Sequence, residues 1–395
     1  MKRYLLLLTI GTILSASQSS DIIKDMLLYK QEQVRNIELN HKENVQLIEQ
    51  NKAYYTKISQ RATAYYKKFV SKKWREENIK LSNITTFTQY NKNMDARQSI
   101  DFKNGIVTIE VISDKKDSDV KYFDKTIKKL SDESISQAIK KDPVNSLETK
   151  FMEKKSIVSK HKKAPDNSKF LAGFIETKKI SKKDIKHKKV VLDNGDEKFI
   201  SYVEVKMVPD HLKKRAMKFK PFVLKKSREY GIEPSVIFAT IQTESYFNPL
   251  AKSHVPAYGL MQIVPTTAGV DAYYALTKKK KLLSPNYLYN ANNNIELGSK
   301  YIQIIRKNYL KGIKNPQSKF YCAAVSYNAG IGSLYYSFAG SKRKRAEAIR
   351  IINSMTPEQV YHHIRTSNKL TKEARNYVKS IKERSENYKM WDREV

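Results

Sequence analysis

The 395-residue chain is poor in cysteine and in acidic residues. Its single cysteine, Cys322, excludes an internal disulfide, and the helical pattern that follows predicts a buried apolar role for this side chain. Forty Asp plus Glu stand against 75 Lys plus Arg, which gives a formal net charge of +35. Such charge favours anionic partners: nucleic acid, acidic lipid or a carboxylate-bearing polymer. Because the lysines are scattered along the chain, the charge alone does not choose among these partners.

The N-terminal hydrophobic run is too short to span a bilayer comfortably. It extends from Tyr4 to Leu14, after the positive residues Lys2 and Arg3, and the small residues Ser15-Ala16-Ser17 follow it. This order is typical of a cleavable secretory signal, so we predict a signal peptide over residues 1–17 and export of the protein. No cysteine follows the run, so a lipid anchor at such a site is not expected.

Proline and glycine are absent between Asp21 and Leu81, where apolar and aromatic residues recur at spacings of three, four and seven. The spacing predicts one or two long amphipathic helices that pack on the next segment. Trp74 lies in this periodic pattern, so we expect a core aromatic rather than a sugar-stacking one. Residues 84–112 then have strand character, and Asn104-Gly105 predicts a hairpin turn.

Helical patterns at Val120–Leu130 and Ser134–Ile139 precede three further strand patterns. The three are expected to complete the sheet, and they cover Phe170–Ile175, Val190–Leu192 and Phe199–Val205. No Gly/Ser-rich linker follows them. We therefore expect an α+β N-terminal domain, with long helices and an antiparallel sheet, over residues 18–206.

After Pro209 the pattern is helical almost throughout, which predicts a mainly α domain over residues 207–395. Asp210 is placed to cap a helix that ends at Gly231. Asn294 is expected to cap the next long helix, on which Gly298 allows close packing. A short strand-like segment is expected at Gly259–Val264.

A carboxyl group lies at the end of one apolar helix in this domain. Pro234 suits the first position of that helix, and Glu244 falls on the same face as Ile237 and Ile241. A carboxyl at the end of an apolar face is poorly solvated, and desolvation raises its pKa towards that of a general acid. The chain then returns through the apolar run Gly259–Ile263, which contains a polar glutamine. This combination indicates a site rather than a plain core.

Four segments occur in one order: Glu244-Ser245 with Phe247-Asn248-Pro249, Gly259-Leu260-Met261-Gln262, Ser326-Tyr327-Asn328-Ala329-Gly330, and Glu373-Ala374-Arg375-Asn376-Tyr377-Val378. Together they resemble the lytic transglycosylases of the soluble-transglycosylase family, which share a goose-lysozyme-like fold. In the last segment alanine replaces the threonine of the family pattern. The resemblance implies that the mainly α domain is a lysozyme-like catalytic domain.

The resemblance also implies a reaction in which Glu244 is the single acid/base. Glu244 would protonate the oxygen between muramic acid and glucosamine and then take the proton from the muramyl C6 hydroxyl, leaving a 1,6-anhydro end. The resemblance implies supporting roles for six further residues. Ser245 would orient the helix end, Met261 would line the saccharide groove, and Gln262 would hydrogen-bond the sugar. Tyr327 and Asn328 would place a hydroxyl and an amide near the reacting ring, and Glu373 would support the site from the far side.

Two other functions stay open. A muramidase-type hydrolase would need a second carboxylate, for which Glu373 is the only candidate, and a cell-wall-binding scaffold would not need Glu244. No metal or cofactor is expected, since the adjacent His362 and His363 point in different directions on a helix. The expected partner is the peptidoglycan glycan strand in the periplasm of a Gram-negative-type bacterium, not nucleic acid. Peripheral outer-membrane association and oligomeric state remain open.

Overall fold

The structure is a computed structural model that describes residues 50, 53–116, 119–154, 168–176, 179–192 and 194–395. Residues 55–395 form one compact unit, and the following account concerns these residues. The predicted signal peptide lies outside the described residues, as does the part of the predicted helices before residue 50.

Five antiparallel strands form one sheet in the first half of this unit. They are β1 (Thr86–Tyr90), β2 (Ala96–Asp101), β3 (Ile106–Ser113), β4 (Lys186–Val191) and β5 (Glu197–Lys206), in the spatial order β1-β2-β3-β5-β4. The turn between β2 and β3 contains Asn104 and Gly105, as the sequence predicts, and Gly105 has a φ of 67° that suits glycine. The strand pattern at 199–205 is confirmed as part of β5, and that at 190–192 is confirmed for Val190 and Val191 at the end of β4, while Leu192 follows the strand.

Helices pack against this sheet. They are α1 over residues 55–70, α2 (Val120–Asp132), α3 (Ile135–Lys141) and α4 (Pro143–Lys154), with single 3₁₀ turns at Glu76–Asn78 and Lys182–Asp184. Val70 and Trp74 are fully buried against Ile112 and Ile200 of the sheet. The Trp74 indole N–H donates to the Met94 carbonyl at 2.7 Å, which confirms this tryptophan as a core residue.

The strand predicted over Phe170–Ile175 is wrong. Phe170 N–H donates to the Glu133 carbonyl at 2.7 Å, and Phe174 N–H donates back to the Leu171 carbonyl at 3.0 Å, so the segment turns. Only Ile175 forms an isolated bridge, to Met207. Phe170 and Leu171 are buried, so the apolar pattern reflects packing of a turn rather than strand pairing.

From residue 211 onward the described chain is mainly helical. The elements are α5 (His211–Tyr230), α6 (Pro234–Ser245), α7 (Ala268–Thr277), α8 (Pro285–Leu288), α9 (Ala291–Ile304) with a π turn at Ile305–Tyr309, α10 (Pro316–Ala329), α11 (Ile331–Ala339), α12 (Arg345–Asn353), α13 (Pro357–Thr366), α14 (Lys372–Glu386) and a final 3₁₀ segment at Lys389–Glu394. α5 ends before Gly231 as expected, although the Asp210 side chain makes no capping hydrogen bond. At Gly259–Val264 only an isolated bridge between Tyr258 and Ile263 forms.

The cap expected at Asn294 is also wrong. Asn290 caps α9, since its side chain accepts from Asn293 N–H at 3.1 Å. Asn294 lies inside the helix and is fully buried, where its side chain serves contacts outside the helix. A capping preference reflects only the local needs of the backbone, so it does not predict hydrogen bonds from Asn294 to distant segments.

The sheet and the helices share a hydrophobic core. Phe87 and Ile100 of the sheet belong to the same buried cluster as Phe219, Phe238 and Leu260 of the helical part. The expected α+β part followed by a mainly α part is therefore confirmed, while the boundary between residues 206 and 207 stays a prediction. Among the described residues, no helix combines the length and apolarity required to cross a membrane.

Candidate active site

The candidate site begins where α6 ends in a left-handed turn. Pro234 occupies the first turn of α6, Glu244 is its penultimate residue, and Tyr246 and Phe247 follow with φ values of 50° and 61°. Left-handed conformations cost bulky non-glycine residues about 1–2 kcal/mol each. Such a turn persists only where surrounding contacts hold it, and it ends the helix before Asn248-Pro249.

Hydrogen bonds from three directions hold this turn. The Ser245 hydroxyl donates to the Leu260 carbonyl at 2.8 Å, and it also lies 3.0 Å from the Ile241 carbonyl. Arg215 of α5 donates to the Tyr246 carbonyl at 2.5 Å, and Arg384 of α14 donates to the Tyr246 hydroxyl at 2.7 Å. Ser245 is fully buried, so it fastens the helix end to the segment around Leu260.

Glu244 lies in a desolvated environment with one neutral partner. The Tyr377 hydroxyl of α14 donates to Glu244 Oε1 at 2.7 Å. Burial raises the pKa of Glu244 to about 7, the hydrogen bond from Tyr377 opposes this shift, and the charge of Glu373 adds to it. Among the described residues, no lysine or arginine forms an ion pair with Glu244. The carboxyl can therefore hold or release a proton near neutral pH.

Two tyrosines lie near this carboxyl with neutral hydroxyls: Tyr377 is buried and Tyr327 is partly buried. Burial, the charge of Glu244 and the neighbouring tyrosine raise the pKa of Tyr377 well above its ordinary value. Burial and Glu244 likewise raise the pKa of Tyr327, whose hydroxyl donates to the Met261 carbonyl at 2.8 Å. Both phenols stay protonated at neutral pH, so each can donate a hydrogen bond.

The segment with Met261 is held from below by α9. Met261 N–H donates to Asn294 Oδ1 at 2.7 Å, while Asn294 Nδ2 donates to the Tyr258 carbonyl at 2.7 Å. A Cβ on Gly298 would lie 2.3 Å from Met261 Sδ, so glycine is required for this close approach, as expected from the sequence. The Met261 side chain is fully buried, which leaves its backbone rather than its thioether for contacts with Tyr327.

Gln262 presents a buried acceptor. Its Nε2 donates to the carbonyls of Ala251 at 3.1 Å and Gly259 at 3.0 Å, and its backbone is left-handed with a φ of 47°. The side-chain Oε1 is buried and has no hydrogen-bond partner among the described residues. A buried acceptor of this kind costs free energy unless a ligand donates to it.

Asn328 and Glu373 form the outer edge of the site. Asn328 Nδ2, near the end of α10, donates to Glu373 Oε1 at 3.1 Å, and Glu373 is exposed on the first turn of α14. Glu373 lies four residues before Tyr377, so the two share one face of α14. The exposed carboxylate and the half-buried amide are accessible to a polar ligand.

The seven residues singled out in the sequence thus fall into two groups. The side chains of Glu244, Tyr327, Asn328 and Glu373 are partly or largely exposed at the site, whereas those of Gln262, Ser245 and Met261 are buried. Their individual roles stay predictions. Three further residues that shape the site had no expected role there: Tyr377, Arg215 and Asn294. Tyr377 lies in the fourth motif, one helical turn after Glu373, so the sequence contains a signal for its place in the site.

A separate cavity of about 630 Å³ lies next to the loop between the first two motifs. His254 and Lys252 of that loop line it together with Lys67 of α1 and Lys80. The Lys252 ammonium also forms an ion pair with the fully buried Glu148 of α4. This loop is therefore tied to the N-terminal part of the chain.

Comparisons with known proteins agree with the motifs. The family model of the transglycosylase SLT domain matches residues 221–349, and the model of the N-terminal domain of membrane-bound lytic murein transglycosylase C matches residues 40–131. Membrane-bound lytic murein transglycosylase C of Yersinia pestis (strain Pestoides F) is 41% identical over 192 residues, which cover 49% of this chain and 52% of the relative. The protein of the same name from Yersinia pseudotuberculosis serotype O:1b (strain IP 31758) gives the same values.

The chain therefore spans about half the length of these curated relatives. Among solved structures, the 70 kDa soluble lytic transglycosylase from Escherichia coli is 24% identical with a TM-score of 0.35, over 46% of this chain and 26% of that one. An inactive mutant of the lytic transglycosylase Slt from Pseudomonas aeruginosa is 23% identical with a TM-score of 0.32, over 44% and 24%.

The domain matches fall on the two parts of the fold described above. The N-terminal model covers α1, β1 to β3 and most of α2, and the SLT model runs from within α5 to within α12. The SLT match also confirms the expected lysozyme-like class of the helical part. The family resemblance of the sequence is thus confirmed: residues 221–349 match the transglycosylase SLT domain, and residues 40–131 match the N-terminal domain of membrane-bound lytic murein transglycosylase C.

Proposed function

We propose that this chain is a peptidoglycan lytic transglycosylase that cleaves the β-1,4 bond between N-acetylmuramic acid and N-acetylglucosamine. The observation that carries the proposal is Glu244, a carboxyl with a pKa of about 7, one tyrosine hydroxyl as its partner and no cation paired to it among the described residues. A carboxyl that stays partly protonated at neutral pH is suited to general acid catalysis. The SLT match and the name of the matched relatives, lytic murein transglycosylases, support the proposed substrate class.

Glu244 acts twice in the proposed reaction. Its proton passes to the glycosidic oxygen as the bond from that oxygen to muramyl C1 breaks, which develops positive charge at C1 and the ring oxygen. The resulting carboxylate accepts the proton of the muramyl C6 hydroxyl, and the C6 oxygen bonds to C1. The products are a free glucosamine 4-hydroxyl and a 1,6-anhydromuramic end, and Glu244 regains its proton without consuming water.

The surrounding groups support this single carboxyl. Gln262 Oε1 is a buried acceptor for a sugar hydroxyl or N-acetyl N–H. Tyr327 and Asn328 place a hydroxyl and an amide beside the reacting ring. Glu373 holds the Asn328 amide and raises the pKa of Glu244 by its charge, so its proposed role is support rather than nucleophilic attack.

The proposed place of action is the periplasm, reached through the predicted signal peptide at residues 1–17. The matched relatives are named membrane-bound, and for this chain we propose peripheral association with the outer membrane. We retain residues 18–206 and 207–395 as the proposed N-terminal and catalytic domains. The proposed partner is the glycan strand of peptidoglycan.

Mass spectrometry of purified peptidoglycan digests tests this function. The unaltered protein is expected to release fragments with 1,6-anhydromuramic ends, and Glu244→Gln is expected to release none above background. Glu383→Gln is the matched control, because Glu383 is an exposed acid on α14 and the same atom is changed. It is expected to behave like the unaltered protein.

Other outcomes would redirect the assignment. Reducing muramic ends from the unaltered protein would identify a hydrolase, and Glu373→Gln would then test the second carboxylate. Binding to peptidoglycan without any cleavage, by both the unaltered protein and Glu244→Gln, would identify a scaffold.

A further inference from the structure

A buried arginine outside the four motifs connects the N-terminal sheet to the turn after Glu244. Arg215 of α5 is 1% exposed, and its guanidinium donates to the Tyr246 carbonyl at 2.5 Å and to the Phe102 carbonyl at 2.6 Å. It also donates to His211 Nδ1 at 2.7 Å. One planar guanidinium therefore joins a carbonyl just after β2 to a carbonyl two residues beyond Glu244, a fixed geometry that suits arginine.

The hairpin between β2 and β3 is pressed closely onto the start of α5. A Cβ on Gly105 would lie 2.4 Å from His211 Nε2, and Met207 N–H donates to the Gly105 carbonyl at 2.7 Å. His211 is the ring that accepts from Arg215. The position of the hairpin is thus transmitted to the guanidinium through both the Phe102 carbonyl and the His211 ring.

The opposite side of the turn contacts the helix that partners Glu244. The Tyr246 ring lies 4.8 Å from the Arg384 guanidinium and 5.9 Å from the Lys103 ammonium of the hairpin. Arg384 lies seven residues after Tyr377, so the residue that bonds Tyr246 and the residue that bonds Glu244 share one face of α14. Glu244 and Tyr246 therefore both contact the same face of α14.

The charge of Arg215 is part of this arrangement. Burial lowers the pKa of Arg215 to about 10, against the opposing effects of Tyr388 and Asp101, so the side chain stays cationic at neutral pH. Its hydrogen bonds to backbone carbonyls are charge-assisted and therefore stronger than neutral ones. They offset the unfavourable left-handed conformations of Tyr246 and Phe247.

We propose that Arg215 is a positioning residue for Glu244, which makes the β2–β3 hairpin of the N-terminal part a structural component of the active site. Arg215 acts through the Tyr246–Phe247 turn and does not contact the carboxyl itself. The inference rests on the proposed role of Glu244 as acid/base, and it deepens that role by assigning the N-terminal part a contribution to catalysis.

The test compares changes at both ends of this connection with a matched change elsewhere on α5. Arg215→Met removes the guanidinium, whereas Arg215→Lys keeps the positive charge but not the planar pair of donors. Gly105→Ala displaces the β2–β3 hairpin. Arg228→Met is the control, because Arg228 is an exposed arginine on the same helix that donates to the Glu394 carbonyl at 3.2 Å. Circular dichroism selects variants that fold.

The primary measurement is the titration of Glu244 by carbon NMR of glutamate side-chain carboxyls, with the signal assigned by its loss in Glu244→Gln. A loosened turn admits water to the carboxyl, so its pKa is expected to fall in Arg215→Met and Gly105→Ala and to stay unchanged in Arg228→Met. Turnover of glycan strands per folded molecule is expected to fall between about tenfold and a hundredfold, with a smaller change in KM. Arg215→Lys is expected to be intermediate.

An unchanged Glu244 titration in a folded Arg215→Met or Arg215→Lys protein would overturn the proposal. If Arg215→Met does not fold, Arg215→Lys and Gly105→Ala decide the matter by the same titration. If the unaltered protein cleaves no peptidoglycan, the proposed function fails, whereas the titration still tests whether Arg215 and the hairpin set the environment of Glu244.

Discussion

Two poorly solvated glutamates in this molecule, Glu110 and Glu244, have pKa values that are shifted in opposite directions. Glu110 lies on β3 of the sheet and receives two hydrogen bonds from Arg97, at 2.7 and 2.9 Å, while Lys80 donates to it at 2.9 Å. Burial alone raises the pKa of Glu110, but these cations outweigh burial and leave the pKa below its ordinary value. Among the described residues, the hydrogen-bond partner of Glu244 is a tyrosine hydroxyl, and burial raises the pKa of Glu244 to about 7.

The difference shows how one side chain serves structure in one region and chemistry in another. A carboxylate clamped by a buried arginine keeps its charge and fixes the sheet, but it cannot give up a proton at neutral pH. In the helical part the buried arginine, Arg215, bonds backbone carbonyls near Glu244 instead of the carboxyl itself. The turn beside the carboxyl is thereby held in place, and the pKa of the carboxyl stays raised.

The largest expected effect is the loss of stability when the ion pair between Arg97 and Glu110 is broken. Arg97→Met should lower the free energy of unfolding by about 3–5 kcal/mol, because it leaves a buried carboxylate without its main partner. Lys80 remains beside Glu110, so the lower end of this range is expected. Urea unfolding measures the loss. The double variant Arg97→Met with Glu110→Leu should be less destabilised than Arg97→Met alone, and an equal loss in both would show that Arg97 acts mainly by packing on Trp74, whose ring lies 3.8 Å from the guanidinium.

Glu244→Gln should change how the free energy of unfolding depends on pH. The folded pKa of Glu244 is about 7 against an ordinary 4.5, so the folded state binds a proton that the unfolded state has lost between these values. The unaltered protein therefore loses stability relative to Glu244→Gln as pH rises through this window. Between about pH 5 and pH 8 the difference should grow by roughly 2–3 kcal/mol, measured by urea unfolding. A difference that is constant with pH would mean that Glu244 is ionised throughout.

The smallest effect is expected from Tyr377→Phe. The Tyr377 hydroxyl lowers the pKa of Glu244, so its removal should raise that pKa and move the basic limb of the turnover–pH profile to higher pH. Tyr335→Phe is the control, since the Tyr335 hydroxyl donates instead to the Tyr309 carbonyl at 2.8 Å. A shift to lower pH in Tyr377→Phe would indicate that water replaces the lost hydroxyl and solvates the carboxylate.

Much of the site was predictable because it follows local pattern. Pro234 marks the start of α6, apolar spacing places Glu244 on the same face as Ile237 and Ile241, and Gly298 marks close packing that proves to involve Met261. The role of Asn294 was missed because its partners lie in another segment, at Tyr258 and Met261. The strand expected at Phe170–Ile175 failed for a related reason, since a turn can bury the same apolar residues as a strand.

The sequence by itself determined the helical and strand patterns, the order of the four motifs and the position of Glu244 on an apolar helix face. Only the tertiary structure decided which buried charges meet. Arg97 reaches Glu110 across neighbouring strands, and Arg215 reaches carbonyls at Phe102 and Tyr246 that are 113 and 31 residues away. Local propensity follows from a residue and its near neighbours, whereas a pKa depends on every group that folding brings within a few ångströms.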